Sequence, residues 1–193
     1  MNRTQLLQAL PKFSQGAELG VCDGDLSQTI LEQVIPYRLY LVDAWRYLDL
    51  GYNDKLMVND KRQEDRYRRV VRRFFNSQQV RIIRSLTDAV GEIFDRESLD
   101  WVYVDADHSY QGCLRDLTVC DPVVKPTGYI LGHDYDNKLP GVIQAVSEFV
   151  AKRGYFLTYV TTEPQCPSYI ISKNLASHEW MLSRIQQLEK LYD

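Results

Sequence analysis

The stretch GAELGVCDGDLSQTI, residues 16–30, has the pattern of a buried strand that passes through a tight turn into a helix. Gly20 and Gly24 bracket the turn, and Asp25 or Ser27 can cap the helix that follows. Glycine lets a backbone approach a ligand closely, and the free amides at a helix start favour negative charge. The spacing is GxxxG, which differs from the GxGxxG of dinucleotide sites. The stretch therefore predicts a strand–turn–helix unit, with or without a ligand at its turn.

Outward from this unit, short apolar runs alternate with segments of helical period, which is typical of βαβ units around a parallel sheet. We expect strands in the runs GAELGV, RLYLVD, QVRIIR, LDWVYVD, GYILGHD, YFLTYV and SYIIS. We expect helices over residues 26–35, 61–76, 87–94, 110–120 and 141–152. The segment TTEPQCP leaves no room for a crossover helix, so the last two strands should be antiparallel. The prediction is a Rossmann-like, doubly wound α/β sheet of five parallel strands, with helices on both faces and one closing antiparallel strand.

Length and pattern indicate a single domain. A chain of 193 residues suits one core, which we place at residues 16–172 of a domain spanning 1–193. A C-terminal helix is expected over residues 177–192. It would dock on its own domain or make a homodimer contact through one apolar face, formed by Trp180, Ile185, Leu188 and Leu191.

Charge and composition bear on partners and compartment. The formal charge of −3 gives no bulk attraction to nucleic acid or acidic membranes, so neither is an expected partner. No apolar run approaches the roughly 18 residues of a membrane span, and the start lacks the apolar core of a signal peptide, so we expect a cytoplasmic protein. The four cysteines lack CxxC spacing, which argues against a zinc site or a disulfide framework. We expect reduced, mostly buried thiols at Cys22, Cys113, Cys120 and Cys166.

Polar residues at the strand ends are the candidates for a site, because ligands of open α/β sheets bind there. Asp43 ends the run RLYLVD about 20 residues beyond the glycine turn, the offset at which an acid meets ribose hydroxyls. A carboxylate can accept two hydrogen bonds from a vicinal diol, although a helix cap is the alternative role. After the third run, Ser85 could meet an adenine amino group or cap the next helix.

Four segments, AELGVCDGDLSQTILE, LYLVDAWRYLDLGYND, LDWVYVDADHSYQGCLRDL and KPTGYILGHDY, together resemble a class I S-adenosylmethionine (SAM)-dependent methyltransferase. The resemblance covers residues 16–172. The subgroup is similar to small-molecule O-methyltransferases of the macrocin and caffeoyl-CoA types and to relatives of cephalosporin-biosynthesis proteins. It implies SAM as cofactor and a small polar metabolite, sugar or phenol as acceptor.

The resemblance also implies roles for particular residues. Glu18, Gly20 and Gly24 would shape the cofactor pocket. Asp43 would hold the ribose of SAM, and Ser85 would lie near the adenine. Asp105, in the loop after the strand LDWVYV, would lie beside the cofactor's transferred methyl group.

Two acidic strand ends then become candidates for a metal. In caffeoyl-CoA-type relatives the corresponding ends hold a divalent ion, which implies Asp105 and Asp134 as ligands here. Hard oxygen ligands suit Mg²⁺, Ca²⁺ or Mn²⁺, and Mg²⁺ is our candidate. The family's acid–amide pair is replaced by Asp134 followed by Tyr135, so Asp136 or Asn137 would have to supply the third ligand.

A metal-free reaction would need a base. Methylation of an alcohol or phenol requires either a base or a metal that stabilises the oxyanion. Besides Asp105, the catalytic candidates are His108 and His133, because imidazole titrates near neutral pH. Each histidine could instead satisfy a local backbone group.

The segment DKRQEDRYRRVVRRFF predicts a basic helix whose arginines are solvated or bind a phosphate or carboxylate of the acceptor. The loop before it contains Trp45, Tyr47 and Tyr52, which could cover the cofactor or the acceptor, or form a local cluster. Two other classes stand beside the methyltransferase. A nicotinamide enzyme is disfavoured because GxGxxG and a substrate domain are missing. The other is a non-catalytic or hydroxylase-like α/β nucleotide-binding protein.

Overall fold

The computed structural model describes residues 1–49 and 57–192. Within these residues the chain forms one sheet of seven strands. The strands are β1 (Gln15–Leu19), β2 (Arg38–Asp43), β3 (Val80–Arg84), β4 (Leu99–Val104), β5 (Val124–Gly132), β6 (Phe156–Val160) and β7 (Tyr169–Ser172). Their order in the sheet is β3–β2–β1–β4–β5–β7–β6.

The pairing confirms a Rossmann-like, mostly parallel sheet. Strands β1 to β5 pair in parallel, whereas β7 is antiparallel to both β5 and β6. The antiparallel strand therefore lies inside the sheet, and β6, which points the same way as β5, forms the edge. Every residue of β7 is buried, but only one residue of β6 is. The complete burial of β7 follows from its interior position between β5 and β6.

Helices cover both faces of the sheet, as predicted. The helices are α1 (Arg3–Ala9), α2 (Asp25–Val34), α3 (Asp60–Phe74), α4 (Val90–Ile93), α5 (Tyr110–Cys120), α6 (Pro140–Arg153) and α7 (Leu175–Tyr192). One apolar cluster joins α1, α2, α3 and α7 to one face. A second cluster joins α4, α5 and α6 to the other face.

Helix α1 was not expected from the sequence. Asn2 caps it by accepting a hydrogen bond from the Gln5 backbone amide, and the Gln5 side chain accepts one from Asn2 in return. This capping box fixes the start of a short helix whose Leu6 and Leu7 are fully buried. The first turn of α1 therefore sits at a defined place beside the sheet.

Helix α7 docks on its own domain, but with a different face from the one predicted. It packs against α1, β5, β6 and β7, and it buries Ser177, Met181, Ile185 and Leu188. Trp180 and Leu191 are 44% and 76% exposed. The buried residues follow Ser177 at spacings of four, four and three residues, and they define one face of the helix. The predicted set shares Ile185 and Leu188 with this face, but it also included Trp180 and Leu191, which lie beside it. A homodimer contact stays a prediction.

Strands β1 and β4 meet closely because Gly16 lies opposite Trp101. A methyl group added to Gly16 would lie 2.2 Å from the indole ring. Trp101 is fully buried, and its Nε1 donates a hydrogen bond of 2.9 Å to Ser14 Oγ. Only glycine at this position leaves room for the ring.

The structure also bears on the expectations about membrane spans and cysteines. None of the described helices is long and apolar enough to cross a membrane. All four cysteines are free, and Cys113 and Cys120 are buried, whereas Cys22 and Cys166 are only partly buried.

Candidate functional site

A cleft of about 810 Å³ opens at the carboxyl ends of strands β1 to β4. Glu18 and Gly20 contribute to its wall from β1 and the turn after it, and Asp43 does so from the end of β2. Thr87 follows β3, and Asp105 follows β4. The cleft therefore lies where ligands of open α/β sheets bind.

The glycine turn shapes this cleft in two ways. Gly20 has a φ of 87°, and a Cβ at this position would lie 1.9 Å from the Asp105 carbonyl oxygen. Gly24 has a φ of 80° and packs against Phe74, where an added methyl group would lie 2.9 Å from a ring carbon. Gly20 thus lets the ends of β1 and β4 touch inside the cleft. Gly24 supports the turn from behind and is not among the residues that line it.

Glu18 is a fully buried acid in the cleft wall. Its Oε2 accepts a 2.5 Å hydrogen bond from Ser27 Oγ at the start of α2. Its Oε1 has no hydrogen-bond partner within the described residues. Burial raises the pKa of this carboxyl well above its ordinary value, although the Ser27 hydrogen bond opposes the rise. One acceptor atom of Glu18 is therefore available to a ligand.

Asp43 connects the ends of β1 and β2. Its Oδ2 accepts hydrogen bonds from the backbone amides of Val21 and Cys22, at 2.8 and 2.9 Å. Its Oδ1 accepts one from the Trp45 amide at 2.7 Å. Burial raises the pKa of Asp43 despite these three bonds. The carboxylate is held rigidly at the cleft, and each oxygen keeps further acceptor capacity for a ligand.

The third strand end differs from the expectation for Ser85. Ser85 does not line the cleft, and its backbone amide donates to the Asp43 carbonyl oxygen at 3.0 Å. The lining residues here are Leu86, Thr87 and Asp88. The part of this loop that lines the cleft thus begins at Leu86, one residue after the predicted Ser85.

Sequence reasoning missed the acid that holds this loop. Asp116 on α5 is fully buried, and its Oδ1 accepts a 2.7 Å hydrogen bond from Thr87 Oγ1. Its Oδ2 has no hydrogen-bond partner in the described part of the chain. Burial raises the pKa of Asp116 to about 6, although Thr87 and Arg115 lower it. An acid in a predicted helix gives no signal of this role, because the contact to Thr87 is tertiary.

Four candidate residues of the ends of β4 and β5 come together. Ligand atoms of Asp105, His108, His133 and Asp134 all lie within 4.8 Å of one another, and we call these four residues the tetrad. His108 Nε2 lies 3.1 Å from Asp105 Oδ1 and 3.0 Å from Asp134 Oδ2. His133 Nδ1 lies 3.5 Å from Asp105 and 3.3 Å from Asp134. Asp105 and His108 line the cleft.

The tetrad balances two carboxylates against two imidazoles. Burial alone would raise the pKa of Asp105, but hydrogen bonds from both histidines lower it far below its ordinary value. Burial would lower the pKa of each histidine, but Asp105 and Asp134 raise both, that of His133 to about 9. The four side chains therefore hold each other in a compact ionic group.

A guanidinium from α1 also reaches the tetrad. Arg3 Nη2 contacts His133 Nε2. Because a guanidinium has donors only, this contact can be a hydrogen bond only in the neutral form of His133, with its ring proton on Nδ1. The two carboxylates favour the protonated form instead, since they raise the pKa of His133 to about 9. In neither form does Nδ1 have a lone pair for a metal, so the three other side chains are the better candidate ligands.

The remaining three donors fit a divalent ion. Asp134 has a φ of 58°, an uncommon conformation for a residue with a side chain, and its Oδ1 is buried without a hydrogen bond in the described residues. Asp105 and His108 complete a mixed oxygen and nitrogen donor set. Carboxylates suit Mg²⁺ and Mn²⁺, whereas imidazole suits Zn²⁺ and other later ions. The donor set thus favours Mn²⁺ or Zn²⁺ over the Mg²⁺ expected from oxygen ligands alone.

The expected third ligand lies elsewhere. Asp136 accepts hydrogen bonds from the backbone amides of Lys138, at 2.9 Å, and Cys166, at 3.4 Å. It is not part of the tetrad. Asn137 is exposed. Among the described residues, the side chains that could join Asp105 and Asp134 in a donor set are His108 and His133.

The basic helix α3 contributes two residues to the cleft, Gln63 and Arg66. Both are buried, and Arg66 Nε lies 3.5 Å from Asp23 Oδ2. The exposed Arg69 and Arg73 form ion pairs with acids of the glycine turn and α2, at 2.6 Å each. These two arginines brace α3 against the turn.

The aromatic loop after β2 has mixed roles. Trp45 is buried, and its Nε1 donates a 3.0 Å hydrogen bond to the Cys22 carbonyl oxygen. Its ring packs against Tyr67, with centroids 5.2 Å apart. Tyr47 is exposed, and Tyr52 lies outside the described residues. Trp45 is therefore part of a local cluster behind the glycine turn.

Solved structures share this architecture. At 14% identity, a protein of Corynebacterium glutamicum aligns over 89% of this chain and 80% of its own, with a TM-score of 0.62. A SAM-dependent methyltransferase from Aquifex aeolicus aligns at 13% identity over 86% of this chain and 85% of its own, with a TM-score of 0.60. A fibrillarin from Aeropyrum pernix with natively bound SAM aligns at 12% identity over 87% and 72%, with a TM-score of 0.59. The TM-scores show that these proteins share the fold of this chain, and the low identities show no more than that.

Comparison of the sequence with protein families identifies the family of this chain. No curated protein sequence matches this chain. Residues 6–135 match the family described as the methyltransferase domain. The match spans more than half of the chain and includes β1 to β5, the glycine turn, Asp43 and the tetrad. The chain therefore belongs to the methyltransferase domain family.

Proposed function

We propose that this protein is a SAM-dependent methyltransferase that methylates a hydroxyl oxygen of a small molecule. The observation that carries the proposal is the position of the tetrad, whose Asp105 and His108 form one wall of the cleft. Family membership supports methyl transfer. The fibrillarin and the Aquifex protein support SAM as the methyl donor for this fold.

The cleft walls suit the parts of SAM. Asp43 is held by three backbone amides with its oxygens at the end of β2, where it can accept hydrogen bonds from a ribose diol. Leu86 and Thr87 would border the adenine. Glu18, with an unfilled buried acceptor, lies on the β1 side, where a positively charged amino group would satisfy it.

His108 is the residue we assign as base. Its Nε2 lies within hydrogen-bond distance of Asp105, so in the neutral ring Nε2 carries the proton and Nδ1 carries the lone pair. Bound SAM would supply an electrophilic methyl carbon whose sulfur leaves as a neutral thioether. His108 would take the hydroxyl proton as the acceptor oxygen forms its bond to that carbon.

His133 has a positioning role in this scheme. It lies outside the cleft wall and donates from Nδ1 toward Asp105 and Asp134. It thereby fixes the carboxylates that orient His108. The ligands of a metal would be Asp105, His108 and Asp134, and the ion would stabilise the acceptor as an oxyanion.

The first experiment is titration with S-adenosylhomocysteine (SAH), the demethylated product, followed by an acceptor screen with methyl-labelled SAM. We expect SAH to bind and a hydroxylated small molecule to become labelled. Absence of heat with both SAM and SAH would refute the methyltransferase and leave a differently reacting α/β protein.

The second experiment separates base from metal. His108→Gln should lower kcat by about 10² to 10⁴, as for loss of a general base, with little change in SAH affinity. The matched control is His178→Gln, because His178 is part of α7, contacts Thr158 and does not line the cleft. Activity that disappears in EDTA and returns with Mn²⁺ or Zn²⁺ would assign the tetrad to a metal. Full activity in EDTA would assign it to the His108 base.

A further inference from the structure

Arg3 is a cation in the cleft wall that neither the fold nor the tetrad requires. It is the first residue of α1, and it is partly buried. Its Nε donates a 3.1 Å hydrogen bond to Ser168 Oγ, and its Nη2 contacts His133. These two contacts hold the guanidinium in place at the edge of the cleft.

The Arg3 guanidinium has no ion-pair partner within the described part of the protein, although the Glu163 carboxylate accepts a hydrogen bond from the Arg3 backbone amide. Among these residues no carboxylate forms an ion pair with its guanidinium, and Nη1 makes no hydrogen bond. The cleft around it contains many acids, among them Glu18, Asp43 and Asp105. Ion pairs occupy Arg66 and Arg115, two other arginines that line the same cleft. An arginine without a carboxylate partner, placed in a ligand cleft, indicates an anionic group on the ligand.

Arg3 and Glu18 lie on the same side of the sheet. Glu18 and Tyr103 are paired residues of β1 and β4, and the Tyr103 hydroxyl bonds to Ser168, the residue that holds Arg3. Charges of both Arg3 and Glu18 act on Tyr103. The same cleft is thus lined by a guanidinium without an ion-pair partner and by a buried carboxyl oxygen without a hydrogen-bond partner in the described residues.

An amino acid headgroup carries a carboxylate and an ammonium on one carbon, and it would satisfy both. We propose that Arg3 binds the α-carboxylate of the cofactor's methionine portion, while Glu18 receives its α-ammonium. The assignment rests on the proposed function, because it takes SAM as the ligand. Helix α1 is then part of the cofactor site, and its capping box and buried leucines set the position of the guanidinium.

The test compares ligands that differ only in the headgroup. SAH has the whole headgroup, its decarboxylated form keeps the amine, and 5′-methylthioadenosine lacks the amino acid portion. Isothermal titration of wild type and Arg3→Gln with all three ligands isolates the contact. The substitution should weaken SAH binding by about 10- to 100-fold, as for loss of a charged hydrogen bond. It should leave binding of the other two ligands within about 2-fold of the wild-type affinity, because neither carries the carboxylate.

The control is Arg46→Gln, which removes the same charge from an exposed residue at the β2 end of the cleft. It should not discriminate between SAH and 5′-methylthioadenosine. Retained 5′-methylthioadenosine binding also shows that Arg3→Gln is folded. An equal loss for all three ligands, or no loss for any, would overturn the assignment of Arg3. Wild-type protein that binds none of them would overturn the proposed function, and the Arg3 assignment with it.

Discussion

The buried acid Asp116 provides a quantitative prediction about pH. Its carboxyl is fully buried, and burial raises its pKa from 3.8 to about 6. Each pH unit between the folded and unfolded pKa values corresponds to about 1.4 kcal/mol. Ionisation of Asp116 should therefore cost the folded protein about 3 kcal/mol at pH 7, relative to a pH below both values.

The sign of this effect follows from proton binding. Between about pH 4 and 6 the folded protein keeps a proton that the unfolded chain releases, so the free energy of unfolding falls as pH rises. An asparagine side chain is neutral at every pH and can still accept the Thr87 hydrogen bond, so the substitution Asp116→Asn removes this slope. The stability of the variant relative to wild type should rise by about 2.4 kcal/mol between pH 4 and pH 7.5, because roughly 0.6 kcal/mol of the effect is already present at pH 4.

Urea unfolding of both proteins across this range measures the difference, and any constant offset from the buried amide cancels. Asp65→Asn is the matched control, because Asp65 is exposed on α3. A difference between Asp116→Asn and wild type that stays flat with pH would refute the reasoning. It would mean that Thr87 and Arg115 fully compensate the buried charge.

Three further substitutions test the cleft and its support. Gly20→Ala should destabilise the fold by about 1–2 kcal/mol because of its left-handed backbone, and by more because the added methyl group would clash with the backbone of β4's loop; it should also abolish SAH binding. Thermal unfolding and titration measure both effects. The control is Gly154→Ala, since Gly154 also has a positive φ but has open space around it. Gly16→Ala should destabilise the fold by about 1–3 kcal/mol through overpacking against Trp101, seen in urea unfolding; an unchanged midpoint would contradict the packing argument. In Asp43→Asn, either orientation of the side-chain amide places its NH₂ group against a backbone N–H that Asp43 now accepts from. The variant should therefore weaken binding of SAH and of 5′-methylthioadenosine equally, because both carry the ribose. A loss confined to SAH would be inconsistent with a ribose contact.

The parts of the site that the sequence predicted are local. Gly20 and Asp43 follow apolar runs directly, and the turn chemistry and the offset between them are readable along the chain. The same holds for Asp105 and Asp134 at their strand ends. Because parallel strands bring such ends to one edge of the sheet, local pattern was sufficient to gather them.

The parts that the sequence did not predict depend on distant contacts. Arg3 is separated from His133 by 130 residues, and its helix α1 is a short buried element beyond the predicted core. The role of Asp116 depends on Thr87 across two elements. The sequence also did not show that His108 and not Asp136 would lie beside Asp105 and Asp134, because spacing within a loop does not show which way each side chain turns.

The interior position of β7 has a consequence for synthesis of the chain. Within the described residues, Tyr129, Ile130 and Leu131 of β5 pair on one side with β7, and β6 joins the sheet through β7. Until residue 172 has left the ribosome and folded, this apolar edge stays open and β6 has no partner. Nascent chains halted between β6 and β7 should therefore be the species most prone to edge-to-edge aggregation and the most dependent on chaperones.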